Sequence, residues 1–317
     1  MNRSSLVSII IPARDEAARV GEVVRAVLAQ GIQDRSCEVV VVDDASTDGT
    51  AELAERAGAR VLRLAAGQGG NPAAARNRGA AAARGDVLVF LDCDCVPQPG
   101  WLTELLAGLD RCPIVGGSLG LPPGLGITAR ADYYCGWYHV HPGRPAGRVR
   151  QHPPGNLCVR REVFAATDGF VERQPIAYAH EELAWQAQSQ RDGACIHFAP
   201  RAVVHHHNRP GLANLLARNY RWGYSAVAAK AEADVARLGW LYRSPLLAVL
   251  LGPLIAVAST PYVIGCWLVI GVVEPLVMLP LVLLARCAHG LGMMVGGVRW
   301  LAARRSGQAF AGRPRWE

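Results

Sequence analysis

Four short runs of β-branched and aliphatic residues fall within the first 95 residues, and three helical segments separate them. The runs are 6–12 (LVSIIIP), 37–43, 60–64 and 87–91 (VLVFL). No polar residue interrupts the last of these, which marks a strand buried on both faces. The segment 17–30 carries apolar residues at 20, 23, 24, 27 and 28, one face of a helix that Gly31 ends. Ser46 and Thr47 can cap a second helix through Arg56, closed by Gly58. The third, 73–84, is alanine-rich and stops at Gly85. This alternation implies parallel strands joined by right-handed crossovers, with ligands bound at the carboxyl ends of the strands.

Acids stand at those ends. The run 87–91 leads into Asp92-Cys93-Asp94. Residues two apart on a strand point the same way, so Asp92 and Asp94 would leave the strand together, with Cys93 as a spacer. Two adjacent carboxylates repel unless a cation lies between them. Mg²⁺ commonly takes one or two carboxylates plus substrate phosphates. An isolated D-x-D reads equally as a capped strand end, so the rest of the chain must decide. The second strand ends in Asp43-Asp44, where an acid can bond a base or ribose. Ser46 and Asp48 beyond it read as cap and turn.

A helix at 101–109 and a strand at 114–119 follow, and then Pro and Gly crowd 122–126 and 142–155, a loop-rich section. Residues 202–208 (AVVHHHN) form a short strand entering a histidine cluster. His205 and His207 share one face and His206 takes the other, which disfavours a zinc site built from all three.

From 245 to 285, 41 residues, Glu274 is the only side chain charged at neutral pH. A spanning helix needs about 20 residues, so the stretch fits two spans, or one span and a re-entrant or interfacial piece; the expectation is two spans, one near 246–267 and one from the 270s toward Arg286 or beyond. Residues 286–317 hold six arginines and one acid, a local charge of +5 within a chain total of +7. Beside so apolar a stretch, this cluster fits a membrane surface better than nucleic acid. Arg237 and Arg243 precede the apolar stretch, and basic residues on both flanks place both ends in the cytoplasm. The first apolar run, 6–11, is too short for a secretory leader and meets Pro12. Nine scattered cysteines without a C-x-x-C pair predict reduced thiols rather than a disulfide framework.

Four blocks, VSIIIPARDE, VVVVDDASTDGT, AAARNRGAAAARGDVLVFLDCD and GNLCVR, together closely resemble the family 2 glycosyltransferases of GT-A fold, in that family's order and spacing over roughly 6–225. The resemblance implies an α/β nucleotide-sugar-binding fold with a central, mostly parallel sheet, followed by C-terminal transmembrane helices. It implies that Pro12, Ala13, Arg14 and Glu16 meet the base and ribose, that Asp44 contacts the base, and that Arg76 and Asn77 lie beside the diphosphate. Asp94 is the implied metal ligand, with Asp92 on ribose or metal-bound water. His206 or His205 is placed near the metal, and Gly155 and Asn156 belong to the acceptor side. The Glu181-Glu182 pair stands where the family has an acidic pair, usually E-D, whose second member is the general base; this assigns Glu182 the role, with Glu181 second. Arg218-Asn219-Tyr220-Arg221-Trp222 is similar to the Q-x-x-R-W motif of membrane-bound members, with Arg218 in place of glutamine. Arg221 and Trp222 would hold pyrophosphate and stack a sugar; the competing reading is a juxtamembrane amphipathic helix.

The expected activity is inverting, metal-dependent sugar transfer, with Mg²⁺ or Mn²⁺, from a UDP-sugar or else a GDP-sugar. The acceptor is a lipid, lipid-linked or glycan molecule at the cytoplasmic face of the inner membrane, in a multi-pass protein that does not bind nucleic acid. The expected division is a catalytic domain at 1–243, a membrane region at 244–298 and a basic tail at 299–317. A sugar nucleotidyltransferase is the alternative, but it predicts a glycine-rich basic loop after the first strand, where PARDE has no glycine. A non-catalytic sugar-nucleotide binder would lack the acid pair.

Overall fold

The computed structural model describes residues 6–31, 36–65, 71–172, 179–233 and 244–305. Its first half follows the alternation: β1 (Val7–Ala13), α1 (Val20–Leu28), β2 (Cys37–Asp43), α2 (Thr50–Arg56), β3 (Arg60–Arg63), α3 (Pro72–Ala82) and β4 (Val87–Leu91). Then come β5 (Cys95–Pro97), α4 (Trp101–Gly108), β6 (Ile114–Gly120), α5 (Ile127–Gly136), β7 (Gly147–Val149) and β8 (Asn156–Arg160). α6 (Arg161–Ala165), α7 (Leu183–Arg191), β9 (Ile196–His206) and α8 (Leu212–Ala233) complete the domain.

The sheet runs β3-β2-β1-β4-β8-β6-β9-β5, with β7 pairing β9. β1 to β4 are parallel, as expected. Beyond them the sheet is mixed rather than mostly parallel. β8 runs antiparallel to β4 and β6, β5 and β7 run antiparallel to β9, and only β6 and β9 continue the original direction. The long return at 141–155 brings the chain back across the sheet, so β8 enters reversed. Its amino end therefore meets the carboxyl ends of β1, β4, β6 and β9. Apolar side chains of α1 and α4 cover one face, and those of α3, α6 and α7 cover the other. This explains why β1 and β4 carry no exposed face.

Several expectations are corrected. β4 ends at Leu91, and Asp92 to Asp94 form a turn in which Cys95 N–H donates to Asp92 O at 3.0 Å. The two acids thus converge through a turn and not through strand periodicity. Ser46 and Thr47 do not cap α2, which begins at Thr50 behind Gly49. The loop-rich section contains α5. Cys112 and Cys195 form a disulfide, while the other seven cysteines are free thiols. Ile114 of β6 pairs with Ile196 of β9, so the residues just before these parallel strands become neighbours although 83 positions separate the two cysteines.

The apolar C-terminal part forms helices Pro245–Ala258, Thr260–Val269, Glu274–Val277 and Leu279–Arg305. Two segments, Val249–Val269 and Leu279–Ala303, are long and apolar enough to cross a membrane. The final helix runs past 299, so the expected tail begins inside it, and residues 306–317 lie outside the described residues. The hairpin packs against the domain. α8 and the final helix pack backbone to backbone. A Cβ at Gly223 would stand 1.9 Å from His289 O, and one at Gly292 2.0 Å from Tyr220 O.

Backbone cannot give way as a flexible side chain can. Gly223→Ala should therefore lower the unfolding midpoint in detergent, by about 1–3 kcal/mol of overpacking that outweighs alanine's helix-propensity gain. An unchanged or raised midpoint would mean the two helices do not meet there.

Candidate active site

The carboxyl ends of β1, β2, β4, β6 and β9, with the amino end of β8, open onto one cleft of about 810 Å³. Along one wall lies the loop after β1, which brings Pro12, Ala13, Arg14 and Glu16 to the cleft. The turn after β2 fixes it. Asp15 N–H donates to Ser46 Oγ (2.9 Å), Thr47 N–H to the Asp15 carboxylate (2.9 Å), Glu16 N–H to Thr50 Oγ1 (2.8 Å) and Ala17 N–H to Asp48 Oδ2 (3.0 Å). These bonds hold Asp15 and Ala45 in left-handed backbone, at φ 52° and 56°. Arg14 stands 3.8 Å from the Asp44 carboxylate, and Glu16 pairs across the cleft with Arg209, from beyond β9. Burial raises the Glu16 pKa against the opposing pull of Arg209.

At the centre, Arg76 of α3 reaches two acids from separate parts of the chain. Its Nη2 donates to Asp92 Oδ1 and its Nη1 to Glu181 Oε1, both at 2.5 Å. Arg76, Glu181 and Glu182 are buried. Glu182 makes no ion pair among the described residues, and its Oε2 has no hydrogen-bond partner. Burial, then the charge of Glu181, pushes Glu182 up to about 8. Burial likewise raises Glu181, with Arg76 opposing. His180, just before the pair, has φ 65° and is fastened to Ser225 Oγ of α8 at 2.9 Å. Gly155 is required beside Asp92, since a Cβ there would lie 2.6 Å from Asp92 Oδ2.

Asp94 faces His206, whose Nε2 is 3.7 Å from Asp94 Oδ2. The tautomer follows from the neighbours. Asn208 Nδ2 donates to Asp132 Oδ2 (2.6 Å), which turns Asn208 Oδ1 toward His206 Nδ1 (2.8 Å). In a neutral ring Nδ1 therefore carries the proton, and the Nε2 lone pair faces a carboxylate. Two acceptors directed at one another suit a cation between them. Cys95 lies within the same 4.8 Å group, and burial drives its thiol pKa well up. Asp94 and His206, with Asp92 on the same rim, thus fit a divalent ion.

The far wall is aromatic and basic. Arg218 donates to Asp132 at 2.6 Å and lies over the rings of Trp222 and Trp137, at 4.3 and 5.1 Å. Arg221 and Trp222 line the cleft as expected.

Three predicted site residues stand outside the lining. Asn77 bonds Phe170 O, Phe170 N–H and Glu172, fixing the turn that leads toward the acid pair. Asn156 joins Ser118 O, Ala202 O and Trp101 Nε1 behind the cleft. His205 points to the opposite face of β9 from His206, beside Gly120. Asp132, Trp137, Asn208 and Arg209 went unread in the sequence. A lone acid inside the ITARADYYCG segment was the available signal for Asp132.

Fold and cleft together define a glycosyltransferase of the GT-A class. Residues 8–162 match the profile described as Glycosyl transferase family 2, and this part of the chain belongs to that family. The chain is similar to glycosyltransferase AglE of Haloferax volcanii, 28% identical over 222 residues, covering 68% of this chain and 71% of that protein. It is 29% identical over 234 residues to a pre-mycofactocin glycosyltransferase of Mycobacterium tuberculosis, covering 69% of this chain but 46% of that one. Among solved structures, the mannosyltransferase PcManGT of Pyrobaculum calidifontis shares the fold, with a TM-score of 0.57 at 17% identity, covering 96% of this chain and 88% of that one.

Removing the amide that orients His206 should weaken divalent-ion binding. Asn208→Ala is expected to raise the Mn²⁺ dissociation constant about 10- to 100-fold, read by the electron-spin signal of free Mn²⁺. Unaltered binding would exclude His206 from the ion's surroundings.

Proposed function

We propose that this protein moves a sugar, with inversion, from a nucleoside-diphosphate donor to a lipid or lipid-linked acceptor at a membrane surface. The observation that carries the reading is the one cleft in which Glu182, buried and without an ion-pair partner among the described residues, stands beside the Arg76 bridge to Asp92, with Asp94 and His206 on the same rim. Glu182 takes the proton from the acceptor hydroxyl as it attacks the anomeric carbon. Glu181, committed to Arg76, holds the guanidinium toward the donor. Arg14 and Asp44 address the base, and Arg218 and Arg221 face the leaving or acceptor phosphate. Asp94, His206 and Asp92 would hold a divalent ion, Mg²⁺ or Mn²⁺, which would supply charge neutralisation for the departing diphosphate. The PcManGT structure contains GDP-Man and Mn²⁺, which supports the donor class and the ion. UDP-sugars are the first donors to test and GDP-sugars the next.

The acceptor class rests on position. The turn Trp137–Val140 supplies Trp137 and His139 to the cleft and packs against the apolar helix Thr260–Val269, with the Tyr138 and Tyr262 rings 6.2 Å apart. A lipid carried along that helix arrives at the cleft wall. Arginine-rich flanks support a cytoplasmic face for the domain.

Released diphosphate is the assay, with purified protein in detergent, a nucleotide-sugar panel and membrane lipid extract. Asp94→Ala should abolish transfer, and full activity would sink the ion's role. Glu182→Gln should lower kcat by about 10²- to 10⁴-fold while Glu181→Gln alters donor KM more; the reverse pattern would move the base to Glu181. The base acts deprotonated, so kcat/KM should climb with pH toward an apparent pKa near 8 belonging to the Glu181–Glu182 pair. A rate that falls over that range would contradict a buried acid acting as base.

A further inference from the structure

We propose that the C-terminal hairpin enters the membrane from one side only, lying in a single leaflet beside the catalytic domain, and does not cross the bilayer. The proposal draws on the functional reading only in choosing lipid as the partner.

A hairpin that crosses twice must leave its turn on the face opposite the catalytic domain. Here the turn is bound to that domain. Glu274 accepts hydrogen bonds from Arg130 and from Tyr134 Oη of α5. Trp267 is fully buried, donates to Tyr134 O at 2.9 Å and packs on the ring of Tyr133. Met278, just before the final helix, and Val282 and Ala285 in its first turns belong to the same hydrophobic core as β1 and α1. One side of the turn is thus anchored to the catalytic domain.

The remaining length of the final helix lies along α8. Gly292 and Gly296 abut the backbone of Tyr220 and Tyr224, Arg299 reaches Tyr224 Oη, and Trp300 donates to Glu232. A bilayer surrounding the final helix would also surround α8, which carries Arg218, Arg221, Lys230 and Glu232. Charges at bilayer depth are strongly disfavoured.

What the hairpin leaves uncovered is apolar. Leu250 and Leu254 are 61% and 68% exposed, and Val269, Val273 and Val277 around the turn are 65–87% exposed. Leu291 and Val298, two turns apart on the final helix, are each 53% exposed. An apolar flank of this length, ending near the exposed Arg299, matches a leaflet with anionic headgroups, to which basic residues add attraction.

The test uses the full chain added to preformed, sealed vesicles containing anionic lipid, so that the catalytic domain stays outside. Arg130→Cys with Glu274→Cys should give the linked peptide by mass spectrometry after mild oxidation of the vesicle-bound protein, with neither single variant doing so. No linked peptide from the vesicle-bound protein, where the same pair links in detergent, would mean the turn leaves the domain in the membrane and would overturn the proposal. Flotation with vesicles should fall severalfold in Leu250→Glu/Leu254→Glu. Undiminished flotation, or a self-associated protein that does not float, would remove lipid as the partner of this face. Sugar transfer measured in detergent on the same samples separates the readings: an active enzyme whose turn fails to cross-link defeats the one-sided hairpin and leaves the transferase intact.

Discussion

Everything in the cleft depends on Arg76. One guanidinium, almost wholly enclosed, ties the turn after β4 to the turn before α7 through two 2.5 Å bonds. Removing one partner of such a buried pair costs about 3–5 kcal/mol, because the other charge stays enclosed and unpaired. The same cation leaves an imbalance. Three carboxylates, of Asp92, Glu181 and Glu182, lie near one guanidinium, and burial with the charge of Glu181 shifts the deficit onto Glu182 as a raised pKa. The raised pKa of Glu182, the proposed base, is therefore a consequence of how Arg76 is held.

α8 joins this centre to the rest of the molecule. Ser225 holds His180 at the acid pair, and Arg218 and Asn219 hold Asp132, which orients Asn208 and through it His206. On its other side the same helix meets the final helix at Gly223. Base, ion site and apolar hairpin thus share one rigid strut. A bilayer under the hairpin would reach the chemistry through packed backbone and not through a linker.

Legibility in the sequence followed the range of the interactions. β1, β2 and β4 declare themselves because burial on both faces favours apolar runs, and Arg14, Asp44 and Asp94 reach the cleft from the ends of those strands, while His206 comes from the end of β9. The alternation of the histidines on β9 held. Asp92 and Asp94 converge by a turn that strand periodicity does not describe. Asn77 and Asn156 stand in motif blocks but bond backbone behind the cleft, which no spacing distinguishes from contact with a ligand. Asp132 and the Cys112–Cys195 bond depend on partners more than 70 positions away, and Glu274 looks like an ordinary turn residue until Arg130 and Tyr134 are placed beside it. Local pattern carried the sheet; the supports of the site are long-range.

One buried base and a direct displacement leave a stereochemical signature. With whichever nucleotide sugar is turned over, proton NMR of the freshly formed product reports the anomeric configuration before any equilibration. Single displacement assisted by Glu182 predicts a product inverted relative to the donor. A product that retains the donor's configuration would require a second nucleophile in the cleft and would contradict this mechanism.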